Sequence, residues 1–208
     1  MKRKGKRRLP ARILHPLEVP AQINTSWSMD FMSDALLSGR KFRVLNLLDD
    51  FNREALAIEI DTSMRAERVI RVLEQILSWR GKPQRIRVDN GPEFVSSKLG
   101  LWCEEQKINL QFIQPGKPSQ NAYIERFNGS FRRDVLDAYL FETLSQVRTL
   151  AEEWMTDYNH HRPHDALNGR SPMDMLAVDL WKTPEEFPTN PQPVITTITN
   201  EFSNLTLS

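Results

Sequence analysis

The sequence predicts an α/β domain in which a five-stranded mixed sheet carries helices on both faces. Three observations predict it. Residues 26–61 alternate apolar and polar side chains in strand fashion. From 62 to 113, helical periodicity takes turns with short apolar runs, the order that builds parallel strands. After a Pro/Gly loop, 119–133 and then 143–162 read as helices with one apolar face each.

Each element has a local reason. In "SWSMDF", Trp27, Met29 and Phe31 alternate with Ser26, Ser28 and Asp30, which makes a strand with two unlike faces. "KFRVLNLLDDF" and "EALAIEID" follow at hairpin distance, the first joined through Ser38-Gly39-Arg40, so three antiparallel strands are expected. A helix then runs from a cap at Thr62 or Ser63 through Val69, Val72, Leu73, Ile76 and Leu77 to Gly81. "RIRVDN" (85–90) is a short strand, "SSKLGLWCEEQ" (96–106) a helix and "INLQFI" (108–113) a strand. The last helix opens at the capping box Thr143-x-x-Gln146 and stops at Arg162-Pro163. Residues 1–23, broken by Pro10, Pro16 and Pro20, read as a disordered arm, 24–177 as the folded core and 178–208 as a tail.

Composition narrows the function. A chain of 208 residues, 39% hydrophobic and 26% charged, supports one soluble core, and its apolar runs are too short for a membrane span. No apolar segment follows the N-terminal basic residues, which argues against a secretory signal. The single Cys103 sits in an apolar-periodic stretch, as a buried thiol in a reducing, cytoplasmic setting would. Residues 1–17 hold seven basic side chains and no acid, while the whole chain is only +1. A basic arm ahead of an acidic body suits nucleic acid, because Lys and Arg displace counterions from phosphates.

Helix 119–133 carries the odd feature. Ile124, Phe127, Phe131 and Val135 form a core-facing stripe, yet a second stripe bears Asn121, Glu125, Asn128, Gly129 and Arg132. Two further acids sit where this layout could join them to Glu125. Asp30 lies on the polar face of the first strand, and Asp89 ends the fourth, just before Asn90-Gly91. Three carboxylates brought together repel one another and raise their pKa values, and hard divalent cations such as Mg²⁺ or Mn²⁺ relieve the repulsion.

"WSMDF", "RVDNGPEF", "PGKPSQNAYIERFNGSFR" and "YNHHRPHDAL" closely resemble the integrase-type catalytic core of bacterial insertion-sequence transposases, Asp, Asp, Glu recombinases similar to retroviral integrases. Thirty-five residues separate Asp89 from Glu125, the spacing of that group. The resemblance covers about residues 24–177. It implies a ribonuclease-H-like fold and makes Asp30, Asp89 and Glu125 the catalytic, metal-binding acids for two Mg²⁺ or Mn²⁺ ions. It implies in-line attack of water or a DNA 3′-hydroxyl on a phosphodiester, with no covalent protein intermediate. By the same resemblance Arg132, two turns beyond Glu125, contacts the DNA backbone, and Lys117 is a second DNA contact. Asn121, Asn128 and Gly129 would let DNA approach closely. The implied partners are insertion-element ends, target DNA and further copies of the chain, in a bacterial cytoplasm.

Rival readings stay open at this point. Complete members of the group carry an upstream helix-turn-helix module, and none precedes this core, so a truncated remnant that binds DNA without autonomous transposition is an alternative. A subunit needing a separate end-recognition chain is a second, and a general ribonuclease-H-like nuclease a third. Asp34, Asp49, Asp50 and Glu93 are rival acids, with Asp49-Asp50 read as turn formers and Glu93 as a helix-start acid. His160 and His164 have i,i+4 spacing, but Pro163 interrupts them and zinc is rejected. Trp27, Trp79, Trp102 and Trp154 are read as core aromatics. No role beyond packing is assigned to Tyr158, Asn159, Arg162, Pro163 and His164.

Overall fold

The computed structural model describes residues 19–91, 94, 96–114 and 118–181. Five strands, β1 (Ser26–Ala35), β2 (Lys41–Asp49), β3 (Ala55–Asp61), β4 (Arg85–Val88) and β5 (Asn109–Phe112), form one sheet in the order β3-β2-β1-β4-β5. The first three pair antiparallel, while β4 joins β1 and β5 joins β4 in parallel. The mixed sheet expected from the alternation is therefore present. At the β1–β2 hairpin Gly39 takes φ +79°, a conformation glycine adopts without a Cβ penalty.

The pleat sorts side chains into two cores. Trp27, Met29, Leu45, Leu47, Ile86 and Val88 point to one face and pack under α1 (Ala66–Arg80) and α2 (Ser97–Glu105). Met32, Val44 and Leu48 point to the other, under α3 (Ala122–Phe131) and α4 (Leu144–His160). Ile124, Phe127, Phe131 and Val135 are all buried, so the apolar stripe of α3 fixes it to the sheet. Val135 lies in a π-helical turn, Arg132–Leu136, that continues α3. The Thr143/Gln146 capping box closes both ways at the start of α4.

Several boundaries differ from expectation. The N-cap of α1 is Arg65, because Thr62 donates its backbone N–H and its hydroxyl to Asp61 Oδ1 instead. Trp79 is 57% exposed, on the outer side of α1, whereas Trp27 and Trp102 are buried. A fifth helix, α5 (Pro172–Trp181), runs past residue 177 into the predicted tail. Its start carries a legible signal: Ser171 Oγ accepts from the Asp174 N–H, Asp174 Oδ2 accepts from the Ser171 N–H, and Pro172 follows the cap. The basic arm to residue 18, Glu93, Lys117 and the rest of the tail lie outside the described residues.

Candidate active site

Strand register brings the first two acids together. β1 and β4 pair Ser26 with Arg85, Trp27 with Ile86 and Ser28 with Arg87. Carried two residues past its last pair, that register sets Asp30, in the middle of β1, level with Asp89, the residue after β4, across strands about 4.8 Å apart. Asp89 follows the last residue of β4, and its Oδ1 accepts the Gly91 N–H at 2.9 Å. The turn is pinned where Phe94 donates its N–H to the Gly91 carbonyl and stacks on Phe31, the neighbour of Asp30, at 4.7 Å.

Asp30 is held from two sides. The Phe31 N–H donates to Oδ1 at 2.8 Å and the Asn128 Nδ2 of α3 donates to Oδ2 at 2.8 Å. Burial, foremost, pushes its carboxyl from 3.8 up to about 6. The charges of Asp89 and Glu125 push the same way, against the two hydrogen bonds. Mutual repulsion at Asp30 is thus felt from both other acids of the predicted trio.

Asn128 corrects the sequence reading. It does not face outward to DNA; it is buried, and its amide is used twice, donating to Asp30 and accepting from Asn46 Nδ2 of β2 at 2.7 Å. Asn121 is likewise buried, at 3% exposure, so the polar stripe of α3 turns inward at both asparagines. Glu125 and Gly129 are exposed, and a Cβ at Gly129 would meet nothing within 4 Å. No packing within the described residues calls for a glycine there. Arg132 is 39% exposed and reaches β1, donating to the Ser33 carbonyl at 3.0 Å and pairing with Asp34 at 3.5 Å.

Beneath Asp30 on the same face lies a buried ionic network that sequence reasoning missed. Asp50, fully buried, accepts from Ser26 Oγ at 2.8 Å and from Ser28 Oγ, and pairs with Arg87 at 3.2 Å. Arg87 also donates to the Gln120 carbonyl at 2.9 Å, just before α3. One guanidinium therefore ties the strand leading to Asp89 to the segment leading to Glu125. Asp49 is buried too: its Oδ1 accepts the Phe51 N–H at 3.0 Å, as a turn former does, and its Oδ2 pairs with Arg80 at 3.4 Å, whereas the Asp50 side chain serves as a buried charge.

The donor set suits a hard cation. Three carboxylates, one of them raised by burial and then by its neighbours' charge, offer oxygen ligands, and each bonded Asp30 oxygen keeps a second lone pair. Among the described residues no three Asp, Glu, His or Cys side chains are drawn close enough to cage an ion as they stand. Mg²⁺ keeps several waters and takes one or two carboxylates beside substrate phosphates, so its site need not be a closed protein cage. Of the rivals, Asp34 is occupied by Arg132 and by the Ala35 N–H. Cys103 is buried, and burial pushes its thiol up to about 11.

Two family models, both described as integrase core domain, match residues 20–118 and 106–172. The chain belongs to the integrase core family. It is 43% identical over 161 residues to an uncharacterized 31.7 kDa protein of insertion element IS407 from Burkholderia multivorans, covering 77% of this chain and 58% of that one. It is 40% identical over 178 residues to a 39.2 kDa protein of insertion element IS476 from Xanthomonas euvesicatoria, covering 86% and 51%. The integrase core thus spans about half the length of the curated relatives it matches. Among solved structures, the chain superposes on the simian T-cell lymphotropic virus intasome complex with a TM-score of 0.68 at 17% identity, covering 91% of this chain and 66% of that one. For the HTLV-2 integrase catalytic core in complex with magnesium the TM-score is 0.59 at 19% identity, covering 73% and 95%. The integrase core has the ribonuclease-H-like fold of these retroviral cores. No helix among the described residues is long and apolar enough to cross a membrane.

Proposed function

We propose that this integrase core cuts and joins DNA strands at the ends of an insertion element, with Asp30, Asp89 and Glu125 holding two Mg²⁺ or Mn²⁺ ions. What supports the reading is the β1–β4 register, which carried two residues on sets Asp30 level with Asp89, together with the charges of Asp89 and Glu125 acting on Asp30. When bound, such ions supply polarisation of the scissile phosphate and charge relief for the attacking and leaving oxygens. The rest is done by this chain. Asn128 fixes the rotamer of Asp30, Arg87 couples β4 to α3, and the bare backbone at Gly129 admits a DNA strand between Glu125 and Arg132. Arg132 keeps guanidinium hydrogens for a backbone phosphate beside its bonds to β1. Lys117 serves as a further backbone contact from the loop before α3.

Chemically, the bond from phosphorus to the leaving 3′-oxygen breaks as the bond to the incoming oxygen forms. Water as nucleophile gives cleavage, and a DNA 3′-hydroxyl gives strand transfer. Two element ends must be held at once for the second reaction, so the working form is a homo-oligomer. The test is a nicking assay on element-end duplex with Mg²⁺ or Mn²⁺, wild type against Glu125→Gln. The reading expects metal-dependent product from wild type and loss of at least about 100-fold in the variant. Equal metal-dependent product from both overturns the role of Glu125, and no product from wild type overturns the reading and favours a remnant that binds DNA without cutting it.

A further inference from the structure

The segment 158–166, to which the sequence reading assigned only packing, builds one wall of a cavity of about 310 Å³. The opposite wall is the flank of α3 bearing Tyr123, Arg126 and Ser130, about 100–160° round the helix from Glu125. Three arginines line it, Arg53, Arg126 and Arg162, against the single carboxylate of Asp165.

The arginines are set in different ways. Arg53 is buried, its guanidinium carbon 3.4 Å from the centroid of the Tyr123 ring, and its backbone takes φ +63°, a region where an arginine is uncommon. Arg162 pairs with Asp134 at 2.7 Å and lies over Trp154. The Arg126 side chain is exposed and makes no ion pair or hydrogen bond among the described residues. His164 also lines the cavity, its ring edge-on to Tyr158 at 4.8 Å and its Nε2 buried without a hydrogen-bond partner among the described residues. Burial foremost holds this imidazole below its usual range, and the charges of Arg162 and Arg53 add to it.

A positive, partly aromatic cavity on the helix that carries Glu125 calls for an anion that continues from the acids. We propose that it is a second DNA-backbone site, taking one phosphodiester with its adjoining sugar, the phosphate on Arg126 and Arg162 and the field reinforced by Arg53. The inference rests on the strand-cutting reading. Its ground for DNA over a free anion is position: Arg126 directly follows Glu125, so a strand with its scissile phosphate at the acids crosses the crest of α3 and meets Arg126 next. The cavity volume exceeds what a lone phosphate needs and lies near the lower end for ligand pockets. Planar, forked guanidiniums suit a phosphate better than ammonium groups do.

The test measures binding of a labelled element-end duplex in EDTA across a salt series, for wild type, Arg126→Ala and Arg126→Lys. Arg126→Ala is expected to weaken binding about 3- to 10-fold at 0.1 M salt and to flatten the log–log salt slope by about one unit. Arg126→Lys is expected to restore the slope and only part of the affinity. Because Arg126 is exposed and unpaired, its melting temperature should match wild type. Inorganic phosphate alone, at constant ionic strength, separates the sources. If phosphate raises the wild-type melting temperature but DNA affinity and slope are unchanged in Arg126→Ala, the cavity serves a free anion and the proposal falls. Unchanged affinity and slope with no phosphate effect overturns it equally. The strand-cutting reading is judged apart, by the loss of nicking in Glu125→Gln, and stands or falls whatever Arg126 does.

Discussion

Asn128 Nδ2 donates to Oδ2 of Asp30 across 2.8 Å, joining residues 98 positions apart in the chain. Its own Oδ1 accepts from Asn46, so a buried relay runs from β2 through α3 to the strand carrying the first acid. Asn128→Ala should remove the orientation of Asp30 without touching DNA. The expected result is nicking slowed by about tenfold or more, a higher Mn²⁺ concentration at half-maximal rate, and duplex affinity within about twofold of wild type. Stability should fall by about 1–3 kcal/mol, since Asn46 loses its acceptor in a buried place.

The raised carboxyl of Asp30 makes stability depend on pH. Its folded value, about 6, lies above the 3.8 of an unfolded chain, so the folded state binds the extra proton between them. Stability of the metal-free chain from this group therefore falls as pH rises from about 4 to 6 and stays low above. Asp30→Asn removes the penalty. In EDTA at pH 7.5 it should be more stable than wild type by about 1–2 kcal/mol, the full shift discounted for partial exposure and one lost hydrogen bond. At pH 4.5 the advantage should shrink to about a third of that, and below about pH 3.8 it should vanish. Thermal melts at the two pH values check this.

Gly129 separates folding from function. In a helix interior glycine is worse than alanine by about 1 kcal/mol, and here a Cβ meets open space. Gly129→Ala should therefore stabilise the fold by up to about 1 kcal/mol while weakening duplex binding or strand cutting. Denaturant unfolding and the nicking assay, run on the same preparation, measure both. A variant that is stabler and fully active would remove the argument that DNA passes over this backbone.

Arg87 and Asp50 form the buried pair under the acids. Removing one partner leaves the other charge buried and alone, which costs about 3–5 kcal/mol. Arg87→Met should lose that much stability in urea unfolding. The double change Arg87→Met with Asp50→Leu should recover a good part of it, because no lone charge is then left behind.

The split between what was and was not legible in sequence follows from range. Alternation along Trp27, Met29 and Phe31 set the faces of β1, the apolar stripe of α3 set its packing, and Thr143 with Gln146 marked α4. These are local patterns. Asn121 and Asn128 were misread because their spacing places them on the stripe of Glu125, while only the position of α3 over β1 and β2 decides which edge of that stripe turns inward. Asp50 looked like a turn residue for the same reason, since its partners Ser26, Ser28 and Arg87 are brought in by sheet order. Trp79 failed as a core residue because it lies on the outer side of α1. The helix start at Ser171, Pro172 and Asp174 is a local signal too, a reciprocal cap followed by proline, and it lies next to a Thr-, Asn- and Pro-rich stretch that lacks periodicity.

Crystals grown with element-end DNA and Mn²⁺, measured at the manganese absorption edge, address the three acids themselves. The account predicts anomalous peaks bonded at about 2.0–2.2 Å to carboxylate oxygens of Asp30, Asp89 and Glu125, beside a DNA phosphate. Peaks held by other side chains, or three carboxylates that stay apart with DNA and metal both present, would contradict it.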